Sequence, residues 1–196
     1  MPARGRPRNE RIGGDVMREV VLERALLEEI PADVIGYGAK DTGEMGGGAA
    51  ASVLREAGPQ LLPALQWELK ASTRQVGEVV LTDAFSLQGR GIRWIAHIIS
   101  IIKNTPEGAW CPRPERLYDG VLKALKLSAG KGARTVAFSM LGTGEGRVKP
   151  SDAAGHMIRA VRDFHRRGGE LSVTFALPTF RDYEAARALL SGGRQG

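Results

Sequence analysis

A chain of 196 residues, 42% hydrophobic and 26% charged, has the length for one full core and the composition of an ordinary soluble globular protein. No run of about 18 apolar residues exists, so no membrane span is expected. With Cys111 the single cysteine, an intrachain disulfide framework and a multi-cysteine metal site are excluded. The formal charge of +6 is unevenly placed: Arg4, Arg6, Arg8 and Arg11 share a Pro/Gly-containing leader with Glu10 opposing them.

That leader, residues 1–15, has no apolar residues to bury and is expected to be a flexible basic arm ahead of a single domain over 16–196. It also lacks the apolar stretch of a secretory signal, which makes a cytoplasmic location the default. The arm either makes weak, non-specific phosphate contacts with nucleic acid or acts as a solubilising tail.

The first ordered run, Met17 to Leu26, reads as strand-like with imperfect alternation. Pro31 closes a turn, and Ala32 to Ile35 starts a second strand. A glycine-rich stretch follows from Gly36 through Gly46-Gly47-Gly48, and then a helix from Ala49 to Glu56 with Ala50, Val53 and Leu54 on one face, stopped by Gly58-Pro59. Gln60 to Ser72 reads as a helix interrupted early by Pro63. Gly77–Thr82 and Ile92–Ile102 read as strands joined by a Gln88–Gly91 turn. His97, set among Ile95, Ala96, Ile98 and Ile99, reads as a hydrogen-bonded core histidine. Asn104 to Pro114 is a turn-rich loop, a rim or lid.

Glu115 to Ser128 is an amphipathic helix, and Val136-Ala137-Phe138 a buried strand. Ser139 to Arg147 then empties into glycines at alternate positions before a helix from Asp152 to Arg167. Leu171 to Leu177 is a last strand, broken by Pro178, and Arg181 to Leu190 a closing helix. The order ββααββαβαβα predicts a three-layer α/β/α sandwich with a mixed central sheet.

Two strand–glycine loop–helix units stand out. A loop of this kind presents backbone N–H groups as a concave anion nest, although glycine-rich strand ends are also common as plain tight turns. In an open α/β sheet such loops meet in one crevice at the carboxyl ends of the strands. Two loops on one crevice would hold a diphosphate between them. His156 and His165 are not spaced for one helical face, so neither a metal pair nor a cofactor is expected.

Together these segments resemble the macro domain, the ADP-ribose-binding module. The resemblance runs from about Val20 to Leu190 and rests on Asp33-Val34-Ile35, on Met45 to Leu54, on Gly77 to Thr82, on Ile92 to His97 and on Val136 to Gly144. It implies that Ala39, Lys40, Met45, Gly46, Gly47, Gly48 and Ala49 line one side of a ligand, with Gly142, Thr143, Gly144, Glu145 and Gly146 on the other. Phe180 is then a candidate for stacking on adenine, or a residue packing the last helix onto the sheet.

The chain also departs from the family pattern. Where many members carry a Gly-Asp motif that accepts from the adenine amino group, this sequence reads Leu22-Glu23-Arg24-Ala25, with Glu23 as a substitute. Lys40 stands where hydrolytic members commonly carry asparagine, and Tyr37 at another commonly asparagine position. Lys40 is either a phosphate-neutralising cation or a solvated loop lysine; while charged it accepts no proton. Gly146 replaces a common aromatic, and Arg147 is placed to reach a terminal phosphate. Asp41, Glu44 and Glu145 are the carboxylates available for base catalysis.

Three functions follow. The first is binding of ADP-ribose or a related nucleotide diphosphate. The second is hydrolysis of ADP-ribose from protein, nucleic acid or O-acetyl-ADP-ribose. The third is a nucleic-acid-associated reader.

Overall fold

The computed structural model describes residues 20–103, 105–111 and 113–192. The basic arm, residues 17–19 of the first strand-like run, and Asn104 and Pro112 of the turn-rich loop lie outside them.

Six strands, β1 (Val21–Glu23), β2 (Val34–Lys40), β3 (Val79–Asp83), β4 (Trp94–Ile101), β5 (Thr135–Ser139) and β6 (Ser172–Ala176), form one sheet in the order β1-β6-β5-β2-β4-β3. All neighbours run parallel except the β3–β4 pair, so the sheet is mixed with its antiparallel strand at one edge. Among the described residues five α-helices cover it: α1 (Gly48–Ala57), α2 (Leu61–Glu68), α3 (Arg116–Gly130), α4 (Pro150–Arg166) and α5 (Phe180–Gly192).

The period-two alternation of the central strands divides the apolar residues between two cores. Val34, Ile98, Val136 and Phe138 meet residues of α3 and α4 such as Leu117, Val121, Met157 and Val161, with Ala186 of α5 in the same core. Ile35, Tyr37, Ile95, Ile99 and Ala137 meet Val53 of α1 and Leu61 and Leu65 of α2 on the other face. This is the expected three-layer α/β/α arrangement.

Several boundaries differ from the sequence reading. Gly36 to Lys40 belong to β2 and not to a loop. The segment is paired to β4 along its length and to β5 as far as Gly36. A glycine is needed there because a β-carbon on Gly36 would lie 2.6 Å from the Phe138 ring. Among the described residues β1 covers three, Val21–Glu23, the length over which it pairs with β6, and stops short of Leu26. Pro63 does not interrupt α2 but falls in its first turn, where an N–H has no intrahelical acceptor in any case. Gln88 and its neighbours form a short 3-10 helix, Phe85–Arg90.

Asp33 pins the start of β2 to β5. Its Oδ2 accepts from the N–H of Arg134 at 2.7 Å, the N–H of Thr135 at 3.1 Å and Thr135 Oγ1 at 3.2 Å. Partial burial pushes its carboxyl upward, but these donors outweigh it and hold the group below its usual range. His97 is fully buried between two hydroxyls, with Tyr37 Oη at 2.6 Å from Nδ1 and Thr82 Oγ1 at 2.8 Å from Nε2. Its ring is thus a satisfied core group, as its setting among apolar residues predicted.

Among the described residues, no helix is long and apolar enough to cross a membrane.

Candidate functional site

β6, β5, β2 and β4 all end on one side of the molecule, and a cleft of about 550 Å³ runs across their carboxyl ends. Ala176, Ser139, Lys40 and Ile101, each at or beside the end of its strand, form part of its lining. This volume is in the range of small-molecule sites.

The two glycine loops hang from adjacent strands, β2 and β5, and both border the cleft. Gly46, Gly47, Gly48 and Ala49 line it from the first, and Gly142, Thr143, Gly144 and Glu145 from the second. α1 begins here without a side-chain cap and without an acidic residue in its first turn. Its opening N–H groups have no intrahelical acceptor and give this wall a positive electrostatic character.

Lys40 is placed by a register shift between Ala39 and Lys40 in the β2–β4 pairing, a device that re-aims a side chain. Its side chain is only 11% exposed, with Nζ 2.9 Å from Glu145 Oε1 and 3.7 Å from Glu44 Oε2. It is therefore a largely buried, ion-paired cation and not a solvated loop lysine. Glu44 also pairs with Lys103, and these lysines, Lys103 foremost, hold its carboxyl below the usual range.

Other expected residues lie outside the lining. Ala39 and Met45 are buried in the core under α1 and α2. Asp41 Oδ1 accepts from the Lys103 N–H at 2.9 Å, and the Asp41 N–H donates to Ile101 O, so this carboxylate ties β2 to the end of β4. Gly146 is buried against its own loop: a β-carbon there would stand 2.6 Å from the carbonyl oxygen of Gly142. The bend itself thus requires glycine at this position.

Arg147, in the left-handed region at φ 56°, borders a second cleft with Glu107, Trp110, Cys111 and Gly146. The turn-rich loop is on that side too, bound by the Cys111 N–H to Gly146 O at 3.2 Å. Burial foremost pushes the Cys111 thiol up, away from nucleophilic character. Phe180 is 65% exposed at the start of α5, with the Arg24 guanidinium 5.9 Å from its ring centroid, while its neighbours Thr179 and Arg181 line the main cleft.

The β6 side of the cleft is built from residues the sequence reading did not select: Leu26, Leu27, Glu28, Pro178, Thr179 and Asp182. Glu28 is 3% exposed; its Oε1 accepts from Ser52 Oγ and lies 3.8 Å from the Arg55 guanidinium. Its Oε2 is buried with no hydrogen-bond partner among the described residues. Glu23, the substitute expected for the missing aspartate, stands exposed on β1. Two adjacent glutamates, Glu28 and Glu29, set between Leu26-Leu27 and Ile30, were the available signal.

The cleft thus combines an apolar flank bearing an unsatisfied acceptor with two glycine loops that border the same space and a largely buried cation. The macro domain model matches residues 38–157, and the chain belongs to the macro domain family. It is similar to the Oceanobacillus iheyensis macrodomain solved with ADP, at 25% identity and a TM-score of 0.77, over 89% of this chain and 90% of that one. A macro domain-containing protein of Streptomyces griseus is 30% identical over 72% of this chain and 78% of its own length. The O-acetyl-ADP-ribose deacetylase of Escherichia fergusonii is 29% identical over 70% and 75% respectively.

Proposed function

We propose that this chain binds ADP-ribose, or a closely related nucleoside diphosphate, in the cleft across the ends of β6, β5, β2 and β4. The observation that carries this reading is the juxtaposition of the two glycine loops on adjacent strands, both lining the same space; glycine loops of this kind form anion nests from their backbone N–H groups. The diphosphate lies between Gly46–Gly48 and Gly142–Gly144, with Lys40 supplying counter-charge. The base lies on the β6 side against Leu26, Leu27, Ala176 and Pro178, where Glu28 Oε2 accepts from its amino group. The similarity to a macrodomain solved with ADP supports a nucleotide as the ligand.

Isothermal calorimetry with ADP-ribose, ADP and AMP tests the reading. Heat from ADP-ribose that saturates with one site per chain is expected; absence of binding at millimolar ligand rejects it.

A hydrolytic role is the second reading, supported by the similarity to an O-acetyl-ADP-ribose deacetylase. Of the three loop carboxylates, Glu44 and Glu145 border the cleft, and both are paired to lysines. Release of product from O-acetyl-ADP-ribose that persists when Asp41, Glu44 and Glu145 are replaced together rules out a base among these loop carboxylates. The wider assignment is a cytoplasmic protein that meets ADP-ribosylated macromolecules, with residues 1–15 adding salt-sensitive nucleic-acid contact. A deletion of that arm that leaves nucleic-acid affinity and its salt slope unchanged removes the arm from this scheme.

A further inference from the structure

Glu145 stands in an unusual place for a loop carboxylate. It comes from the second glycine loop, yet its Oε1 lies 2.9 Å from Lys40 Nζ and 3.9 Å from where a β-carbon on Gly47 would be, the residue that opens α1 in the first loop. The carboxylate therefore spans the gap between the two loops. It sits beside the buried ammonium and near the uncapped start of α1, the two features of this wall that attract negative charge. The chain's own anion occupies the surroundings that a phosphate of the ligand requires.

We propose that Glu145 is an internal competitor: a phosphate-bearing ligand enters by exchanging with its carboxylate at Lys40 and at the start of α1, and Glu145 swings out toward solvent. The inference rests on the reading of the cleft as a nucleoside diphosphate site and names the selection it exerts. Phosphorylated ligands displace the carboxylate, whereas an uncharged nucleoside has nothing to offer Lys40 in return. The exit route is open, since the Glu145 side chain is already 47% exposed while Lys40 is 11% exposed. The exchange also defines Glu145 as a gate: once phosphates hold Lys40, its carboxylate has left the place from which it would activate water.

The test is calorimetry on the full chain and on Glu145→Gln with ADP-ribose, inorganic pyrophosphate and adenosine, with thermal melting of both proteins alongside. Glutamine keeps the size and removes the competing charge. Affinity for ADP-ribose and for pyrophosphate is expected to rise about fivefold, the scale of one partly exposed ion pair. Adenosine affinity stays the same, and the melting temperature falls slightly because Lys40 loses a partner. A ligand contact made by Glu145 would move both quantities downward. Unchanged or weaker binding of ADP-ribose and pyrophosphate in the variant overturns the exchange. Tighter pyrophosphate binding with no ADP-ribose binding by either protein leaves the exchange standing and defeats the ADP-ribose reading alone.

Discussion

Lys40 Nζ lies 2.9 Å from Glu145 Oε1, joining the end of β2 to the second glycine loop by an ion pair across the cleft. Lys40→Met removes this cation, leaving Glu145 without its lysine partner and Glu44 with Lys103 alone. ADP-ribose affinity is expected to fall by about 10- to 30-fold, the cost of stripping a partly desolvated charge from a phosphate contact. Lys40→Arg should recover a part of it. Calorimetry at two salt concentrations checks this, since the loss in Lys40→Met should shrink as ionic strength rises.

Glu28 carries a prediction about the base. A buried carboxylate oxygen without a partner rewards a ligand that brings a donor and penalises one that brings an acceptor. Wild-type protein should prefer ADP-ribose to its hypoxanthine counterpart by about tenfold, and Glu28→Ala should bring the two within about twofold of each other. Competition binding with the two ligands decides the matter. An undiminished preference in the variant means that another group reads the base.

Gly146 fixes the shape of the second loop. Any β-carbon there meets the Gly142 carbonyl at 2.6 Å, so Gly146→Ala forces the backbone apart. Destabilisation of about 1–3 kcal/mol is expected, as for other overpacked sites, together with weakened ADP-ribose binding. Urea denaturation and calorimetry on the same preparation measure both.

His97 predicts an acid limit. Burial holds its imidazole down at about 3, against an unfolded value near 6.5. Because the folded value is the lower one, the unfolded chain binds the extra proton first. The neutral ring's full contribution is present above about pH 6.5 and is lost progressively as pH falls toward 3, by on the order of 4 kcal/mol at the end of the window. His97→Gln, which can still reach the Tyr37 and Thr82 hydroxyls without titrating, should show a flatter stability profile between pH 7 and 4 by urea midpoint. Parallel profiles for the two proteins would remove His97 from the acid response.

Much of the scaffold was legible in the chain because burial leaves a periodic trace. Val136-Ala137-Phe138, the Ile-rich run around His97 and the stripe of α3 each announced their element and its neighbours. The strand Gly36–Lys40 was not legible, since alternate glycines look like a turn until Phe138 is known to lie over one of them. The glycine walls of the cleft could be named from sequence; the β6 side could not. Leu26 to Glu28 follow an edge strand, and Thr179 to Asp182 begin a helix more than 150 residues later in the chain. Neither segment has a composition that marks a ligand. Arg147 and Phe180 show the limit most clearly. Phe180 lies between two residues that line the cleft and Arg147 two positions beyond one, yet the first turn of a helix and a tight bend keep them out of its lining, and side-chain direction at such points is decided by tertiary contacts.

The two loops hang from neighbouring strands, so the span between them is inherited from hydrogen-bond spacing within the sheet, close to 4.8 Å from strand to strand. Mouth width is therefore a property of the peptide backbone, indifferent to which apolar side chains fill the layers above and below. Chains that share about a quarter of their residues keep the same fold, and a spacing set by the backbone leaves the residues that decorate the opening free to change.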